Sequence, residues 1–160
     1  MMTTSTDNDY VFELPYLNID TNIKYEFNQS RHMFDSGTRA WKIDPIYPIH
    51  LKLTRMFNKI EYWYQIKVAE KYLKPHSDTH FRDAAIIIPI TDNSRIYWYD
   101  DDNNIIFNHT YICPTLINTT LLHGTEDIGI ERHNIQISLF NKNKDWEIIK
   151  LKLHEALYNG

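Results

Sequence analysis

Ala84-Ala85-Ile86-Ile87-Ile88-Pro89-Ile90, Thr91-Asp92-Asn93-Ser94, Arg95-Ile96-Tyr97-Trp98-Tyr99: these sixteen residues spell strand, turn, strand. The aliphatic run is too short for a helix, is β-branched through its middle, and stops at Pro89, which is the pattern of a strand buried on both faces. The polar quartet is turn chemistry. The aromatic and β-branched segment that follows suits the pleated surface of a sheet.

Further segments of the same kind surround this unit. Residues 60–68 are rich in Tyr, Trp and Ile, and residues 105–108, 110–113, 116–123 and 130–140 are each bounded by Asn, Asp, Gly or Pro. Short strands at this spacing, with no helical period between them, predict a mainly β chain built as an antiparallel sandwich or barrel. Residues 60–140 form the predicted core and residues 1–58 a supporting region of mixed, partly helical character, with a helix over 51–59 and turns at Asp35–Thr38 and around Pro45 and Pro48. Over 145–158, Asp145 is placed to cap a helix with Trp146, Ile149, Leu153 and Leu157 on one face, although the alternation at 149, 151 and 153 also suits a strand.

Composition narrows the function. At 160 residues the chain fits a single domain, 1–160, and is long enough to bury a core without disulfide or structural metal. Its 22 aromatic residues imply a ring-lined core or pocket. A net charge of -4 argues against nucleic acid as a partner. The single cysteine, Cys113, excludes a disulfide framework and a Cys-rich zinc site. No run is long or apolar enough for a signal peptide or a membrane span. A cytoplasmic protein is expected, in a host cytoplasm if the chain is viral. Oligomeric state is open.

One constellation stands out. In Pro75-His76-Ser77-Asp78, an extended chain puts His76 and Asp78 on the same side, where an imidazole and a carboxylate can converge on one ion. With 8 His and 21 acidic residues, about one such pair arises by chance, so the pair alone means little. His123 follows 47 residues later at the end of a predicted strand, and Arg132 lies nine residues beyond it. Asn134, Gln136 and Ser138 share the Arg132 face of their strand, opposite Ile135, Ile137 and Leu139. An Arg on an otherwise apolar strand calls for an anionic partner.

The pattern His76-Ser77-Asp78, His123, Arg132 resembles that of the 2-oxoglutarate- and iron(II)-dependent oxygenases. The stretches Arg82-Asp83-Ala84-Ala85-Ile86-Ile87-Ile88-Pro89-Ile90 and Leu116-Ile117-Asn118-Thr119 are similar to small phage- and bacterium-encoded members. The resemblance covers roughly residues 60–140. It implies a double-stranded β-helix, the jelly-roll barrel of the cupins. It also implies Fe(II) held by His76, Asp78 and His123, and 2-oxoglutarate as cosubstrate, its distal carboxylate anchored by Arg132 with Asn134 assisting. The implied activity is a hydroxylase that couples oxidative decarboxylation of 2-oxoglutarate to C–H hydroxylation of a small molecule or peptide. Two positions depart from such members: Ile87 stands where a polar residue is frequent, and Asn134 where Ser or Thr is.

Other residues have more than one reading. Arg82 shares the parity of Asp78 and His80, so Arg82 and His80 are candidate contacts to substrate or cosubstrate; an ion pair of Arg82 with Asp83 or a loop acid serves equally. His133 lies opposite Arg132 in parity and is expected to be packed or exposed. The clusters Tyr62-Trp63-Tyr64 and Tyr97-Trp98-Tyr99 suit a core, with Tyr64 the ring best placed to reach the cosubstrate. For Arg132 the bland alternative is a surface ion pair with Glu131 or Asp127. The rival to an enzyme is a non-catalytic cupin-like ligand-binding or virion-associated module, decided by whether His76, Asp78, His123 and Arg132 all point inward.

Overall fold

The computed structural model of the chain describes residues 8–21, 31–33, 38–67, 73–78, 82–125 and 129–158, with the backbone alone at 31–33 and 73. In chain order the elements are β1 (Val11–Glu13), β2 (Arg31–Met33), β3 (Thr38–Lys42), α1 (Ile49–Leu53), β4 (Lys59–Lys67), β5 (Leu73–His76), β6 (Ala84–Pro89), β7 (Arg95–Tyr99), β8 (Ile105–Thr110), β9 (Thr115–Ile117), β10 (His123–Thr125), β11 (Arg132–Phe140) and α2 (Trp146–Tyr158). They build a seven-stranded sheet in the order β1-β9-β6-β11-β4-β3-β2 and a four-stranded sheet in the order β5-β10-β7-β8. The pairings among the described residues are antiparallel. From β4 to β11 the chain passes between the two sheets so that β4, β6, β9 and β11 line one and β5, β7, β8 and β10 the other. This is a double-stranded β-helix.

Strand parity sorts the side chains into two cores. On the outer face of the large sheet, Ile135, Ile137 and Leu139 join Tyr62, Ile86, Ile88 and Leu116 beneath Ile49 and Leu53 of α1 and Ile149, Leu153 and Leu157 of α2. Between the sheets, Ala85, Ile87, Val11 and Ile117 pack on Ile96 and Trp98 of β7. The unbroken aliphatic character of β6 follows, since one parity serves each core and neither meets water. Burying each such isoleucine contributes roughly 2–3 kcal/mol of transfer free energy. From Arg132 to Leu139, β11 carries apolar residues on one parity only, because its other face lines a cavity.

The C-terminal segment is a helix. The Asp145 carboxylate accepts the Ile148 amide proton at 3.2 Å, capping the first turn, and the stripe of Ile149, Leu153, Ala156 and Leu157 is buried against the sheet. The N-terminal part holds more strand than its composition suggests. β1 and β3 extend the large sheet at opposite sides, and the helix predicted over 51–59 is the shorter α1, which ends at Leu53.

Two predicted strands also change. The strands predicted over 105–108 and 110–113 are replaced by one strand, β8, which ends at Thr110, and residues 111–113 belong to the loop after it. The strand predicted over 116–123 is broken into β9 and β10, which belong to different sheets. Asn118 makes that break: its Oδ1 accepts from Thr120 N at 3.2 Å and Thr120 Oγ1 at 2.7 Å, turning the chain across the barrel. Most of the Asp35–Thr38 turn and the end of the strand predicted to reach Val68 lie outside the described residues.

Candidate metal centre

His76 is the last residue of β5, and His123 the first of β10. The two are direct partners in the antiparallel register. Asp78 lies two residues past β5, where Asp78 N donates to Thr119 O at 2.8 Å and Ser77 Oγ to Thr120 O at 2.8 Å. The loop bearing Asp78 is thereby fastened to the turn that delivers His123. His76 Nε2 lies 3.2 Å from Asp78 Oδ1, and His123 Nε2 lies 3.4 Å from Asp78 Oδ2. One ligand atom from each of the three residues falls within 4.8 Å of the others.

The ring nitrogens turned away from this point are also committed. His76 Nδ1 is 2.7 Å from the Lys74 carbonyl, and His123 Nδ1 is 2.7 Å from the Leu121 carbonyl. A carbonyl can only accept, so each Nδ1 carries a proton, and Nε2 is the ring atom turned towards Asp78. Two imidazole Nε2 atoms, each able to bind a metal once it gives up its proton, converge with a carboxylate on one spot. That donor set suits a divalent transition metal.

The electrostatics follow from the same contacts. Burial acts to raise the Asp78 carboxyl, but hydrogen bonds from His123 and His76 and the Arg82 charge overcome it and hold the group well below the usual carboxylate range. Burial acts to lower His76, yet the Asp78 contact and the Lys74 carbonyl leave its imidazole raised overall. Arg82 also meets Asp78, with Nη2 3.0 Å from Oδ2. Its partner is therefore the candidate metal ligand, not Asp83, whose carboxylate accepts the Asn141 amide and meets Lys144.

The three ligand candidates open onto a cavity of about 840 Å3 between the sheets. Arg132 and Asn134 of β11 line it together with Arg82. Arg132 is 5% exposed, with Nη1 donating to the Arg95 carbonyl at 3.3 Å. The alternative pairing with Glu131 is not seen, because Glu131 Oε1 meets His133 Nε2 at 2.8 Å instead. Asn134 Nδ2 is turned to Gln65 Oε1 at 3.5 Å, and Asn134 Oδ1 is buried without a hydrogen-bond partner.

Tyr64 does not reach the cavity. Its parity places it with the outer core, and its hydroxyl meets His133 Nδ1 at 2.6 Å. The flanking Trp63 and Gln65 face inward in its stead. The preference for a ring near the His76 motif overlooked which parity of β4 faces Arg132. Lys67, Tyr111 and Gln136 also line the cavity. Lys67 was legible in principle, because it is the register partner of Arg132; Tyr111 lies in a loop with no such signal. His80 and Asp127 lie outside the described residues.

No family model and no curated protein matches the chain. Solved structures do. A prolyl-4-hydroxylase from Pseudomonas putida is similar over 71% of this chain and 78% of its own, at 13% identity and a TM-score of 0.50. A prolyl hydroxylase from Trichoplax adhaerens, in complex with a hypoxia inducible factor oxygen degradation domain peptide fragment, is similar over 68% of this chain and 64% of its own, at 12% identity and 0.51. A cupin superfamily protein from Desulfitobacterium hafniense matches 74% of this chain and 84% of its own at 9% identity and 0.43. At these identities the likeness is one of fold. The chain is a double-stranded β-helix protein in which a His-Asp-His group opens onto an internal cavity. Among the described residues, no helix is long and apolar enough to cross a membrane.

Proposed function

We propose that the protein is an iron(II)- and 2-oxoglutarate-dependent oxygenase that hydroxylates a small molecule or peptide. The observation that carries this reading is the convergence of His76, Asp78 and His123 at one end of a cavity that Arg132 also lines.

In this reading His76 Nε2, Asp78 and His123 Nε2 hold the metal, and Arg132 meets the distal carboxylate of 2-oxoglutarate with charge-assisted hydrogen bonds. Bound together, the metal, the cosubstrate and dioxygen would supply the oxidising chemistry: one oxygen atom would pass to 2-oxoglutarate as it loses carbon dioxide and becomes succinate, and the other to a C–H bond of the substrate. The protein's own part is orientation and exclusion. The Lys74 and Leu121 carbonyls keep the imidazole protons on Nδ1. The apolar wall of Ile87, Ile96 and Ile117 limits water inside the cavity. Asn134 directs Nδ2 to Gln65 Oε1 and keeps Oδ1 buried, so its assistance to a carboxylate requires the amide to turn its N–H groups towards the ligand.

The fold likeness to a prolyl hydroxylase solved in complex with a peptide fragment supports a peptide among the candidate substrates. Incubation with ferrous iron, ascorbate and 2-oxoglutarate, with succinate measured in the presence and absence of candidate peptides and metabolites, tests the activity. Succinate formation that disappears in His76→Ala is expected. Loss-free turnover in that variant, or none in the iron-loaded protein with any substrate, would favour the binding module.

A further inference from the structure

Four strands end the two sheets, β1 and β2 the large one and β5 and β8 the small one. An edge strand offers backbone N–H and C=O groups to any chain that comes alongside, and shortness, charge or proline blunts it. β1 and β2 are each three residues long, with Glu13 in one and Arg31 in the other. β5 carries Lys74 and Pro75, and proline has no N–H to offer. β8 is different. Ile105-Ile106-Phe107-Asn108-His109-Thr110 is six residues long and holds no Lys, Arg, Asp, Glu or Pro. Its one irregularity is the extra residue Ile106 between the partners of Trp98 and Tyr99, and residues 107–110 stay in regular register with β7.

The charges around this edge suit a second copy of the chain run antiparallel to the first. At the Thr110 end, exposed Arg95 of β7 reaches across to β8, its Nε donating to Thr110 Oγ1 at 2.9 Å. At the other end, the turn from β7 to β8 exposes Asp101 and Asp102, while Asp100 is engaged by the Asp102 and Asn104 amides. Two antiparallel β8 strands bring the arginine end of each copy to the aspartate end of the other. Parity then selects the register. Ile96 and Trp98 are buried between the sheets, so their partners His109 and Phe107 face inward, and Asn108 and Thr110 face outward. Residues directly opposed in a sheet share a side, and a slip of one residue would set inward against outward. A two-fold axis through Asn108 keeps the sides matched, with Phe107 opposite His109 and Ile106 opposite Thr110 of the second copy.

We propose that β8 is a self-association edge, at which two copies of this chain pair antiparallel about Asn108 and join their small sheets into one. The edge lies across the small sheet from β5 and His76, so each copy keeps its own candidate metal centre. Sedimentation velocity of the full chain, up to about 100 μM, is expected to show a species of twice the monomer mass. Asn108→Lys sets two like charges face to face on the axis and should weaken the dimer at least about tenfold. Arg95→Glu should weaken it as well, and Arg95→Glu with Asp102→Lys should recover it. In a Cys113→Ser background, Asn108→Cys should form an interchain disulfide on mild oxidation, since directly opposed residues lie about 4.5–5.5 Å apart at Cα. A wild type that stays monomeric throughout this range would overturn the proposal. So would an Asn108→Lys dimer as tight as the wild type. If Asn108→Lys does not fold by circular dichroism, Asn108→Cys decides, and a dimeric sample that yields no interchain disulfide overturns the β8 edge.

Discussion

His76 and His123, 47 residues apart in sequence, lie directly opposite each other in the β5–β10 pair, with ring centroids 4.4 Å apart. Each donates Nδ1–H to the carbonyl two residues upstream at 2.7 Å. The tautomer of each ring is therefore set by its own strand, while the convergence of the two Nε2 atoms is set by the register. Asp78 arrives from the loop after β5 and supplies the charge.

Loss of these rings should abolish metal binding. In the double variant His76→Ala, His123→Ala only Asp78 of the three remains, and calorimetric titration with Fe(II) or Co(II) under argon should show no saturable site. The fold should persist, since both rings sit at a cavity surface; the far-ultraviolet circular dichroism should match the wild type. Wild-type metal affinity in the double variant would remove both histidines from the site.

Arg132 should matter to the cosubstrate and not to the metal. A buried charge-assisted pair lost from one side costs on the order of 2–5 kcal/mol, so Arg132→Leu should weaken 2-oxoglutarate binding at least about thirtyfold. Calorimetry with Mn(II)-loaded protein measures this directly. Equal 2-oxoglutarate affinity in variant and wild type would move the anchor to Lys67 or another cavity cation.

Tyr64 and Trp63 are neighbours with opposite fates, and their variants should show it. Tyr64→Phe removes the hydroxyl bonded to His133 and should cost about 1 kcal/mol of stability, leaving 2-oxoglutarate affinity as in the wild type. Trp63→Ala changes the cavity wall and should alter ligand binding. Urea unfolding and ligand titration, run on both, distinguish a packing residue from a cavity residue.

His109 should make the fold sensitive to mild acid. Burial lowers its pKa, and the nearby Glu13 carboxylate, 3.9 Å from Nε2, only partly opposes this. The folded-state value lies below the unfolded one, so the unfolded chain takes up the proton first. Stability from this group is complete above about pH 6.5 and is lost as pH falls through that value and below it, by at most about 1.4 kcal/mol per pH unit. Between pH 7.5 and 5.5 the thermal midpoint of the wild type should fall further than that of His109→Leu. Parallel curves would show that His109 keeps its ordinary pKa in the fold.

Much of the fold was readable because local chemistry and burial agree. β6 could be recognised from an aliphatic run that must be covered on both faces, and β7 from its aromatic and β-branched residues after a polar turn. The alternation along β11 announced one apolar face and one polar face, and the sheet puts Ile135 and Ile137 in the core and Arg132 and Gln136 in the cavity. The spacing of His76, Asp78, His123 and Arg132 marked the candidate site before any geometry was known. Where parity alone was ambiguous, the reading failed. Nothing local to Tyr62-Trp63-Tyr64 says which of three rings faces inward, since all three suit a strand; the answer depends on the pairing of Lys67 with Arg132 and of Gln65 with Asn134.

By itself, then, the sequence determined which residues could be strand, turn or helix, because those preferences depend on side-chain shape and on neighbours a few residues away. It also determined which side chains had the chemistry to hold a metal and an anion. The tertiary structure decided which of them meet. The break at Asn118 that sends β9 and β10 to different sheets brings His123 beside His76, and the crossing from β5 to β6 lays Arg82 between Asp78 and Gln136. These are contacts across tens of residues, set by strand register and by the closing of two sheets on one core, and no local preference encodes them.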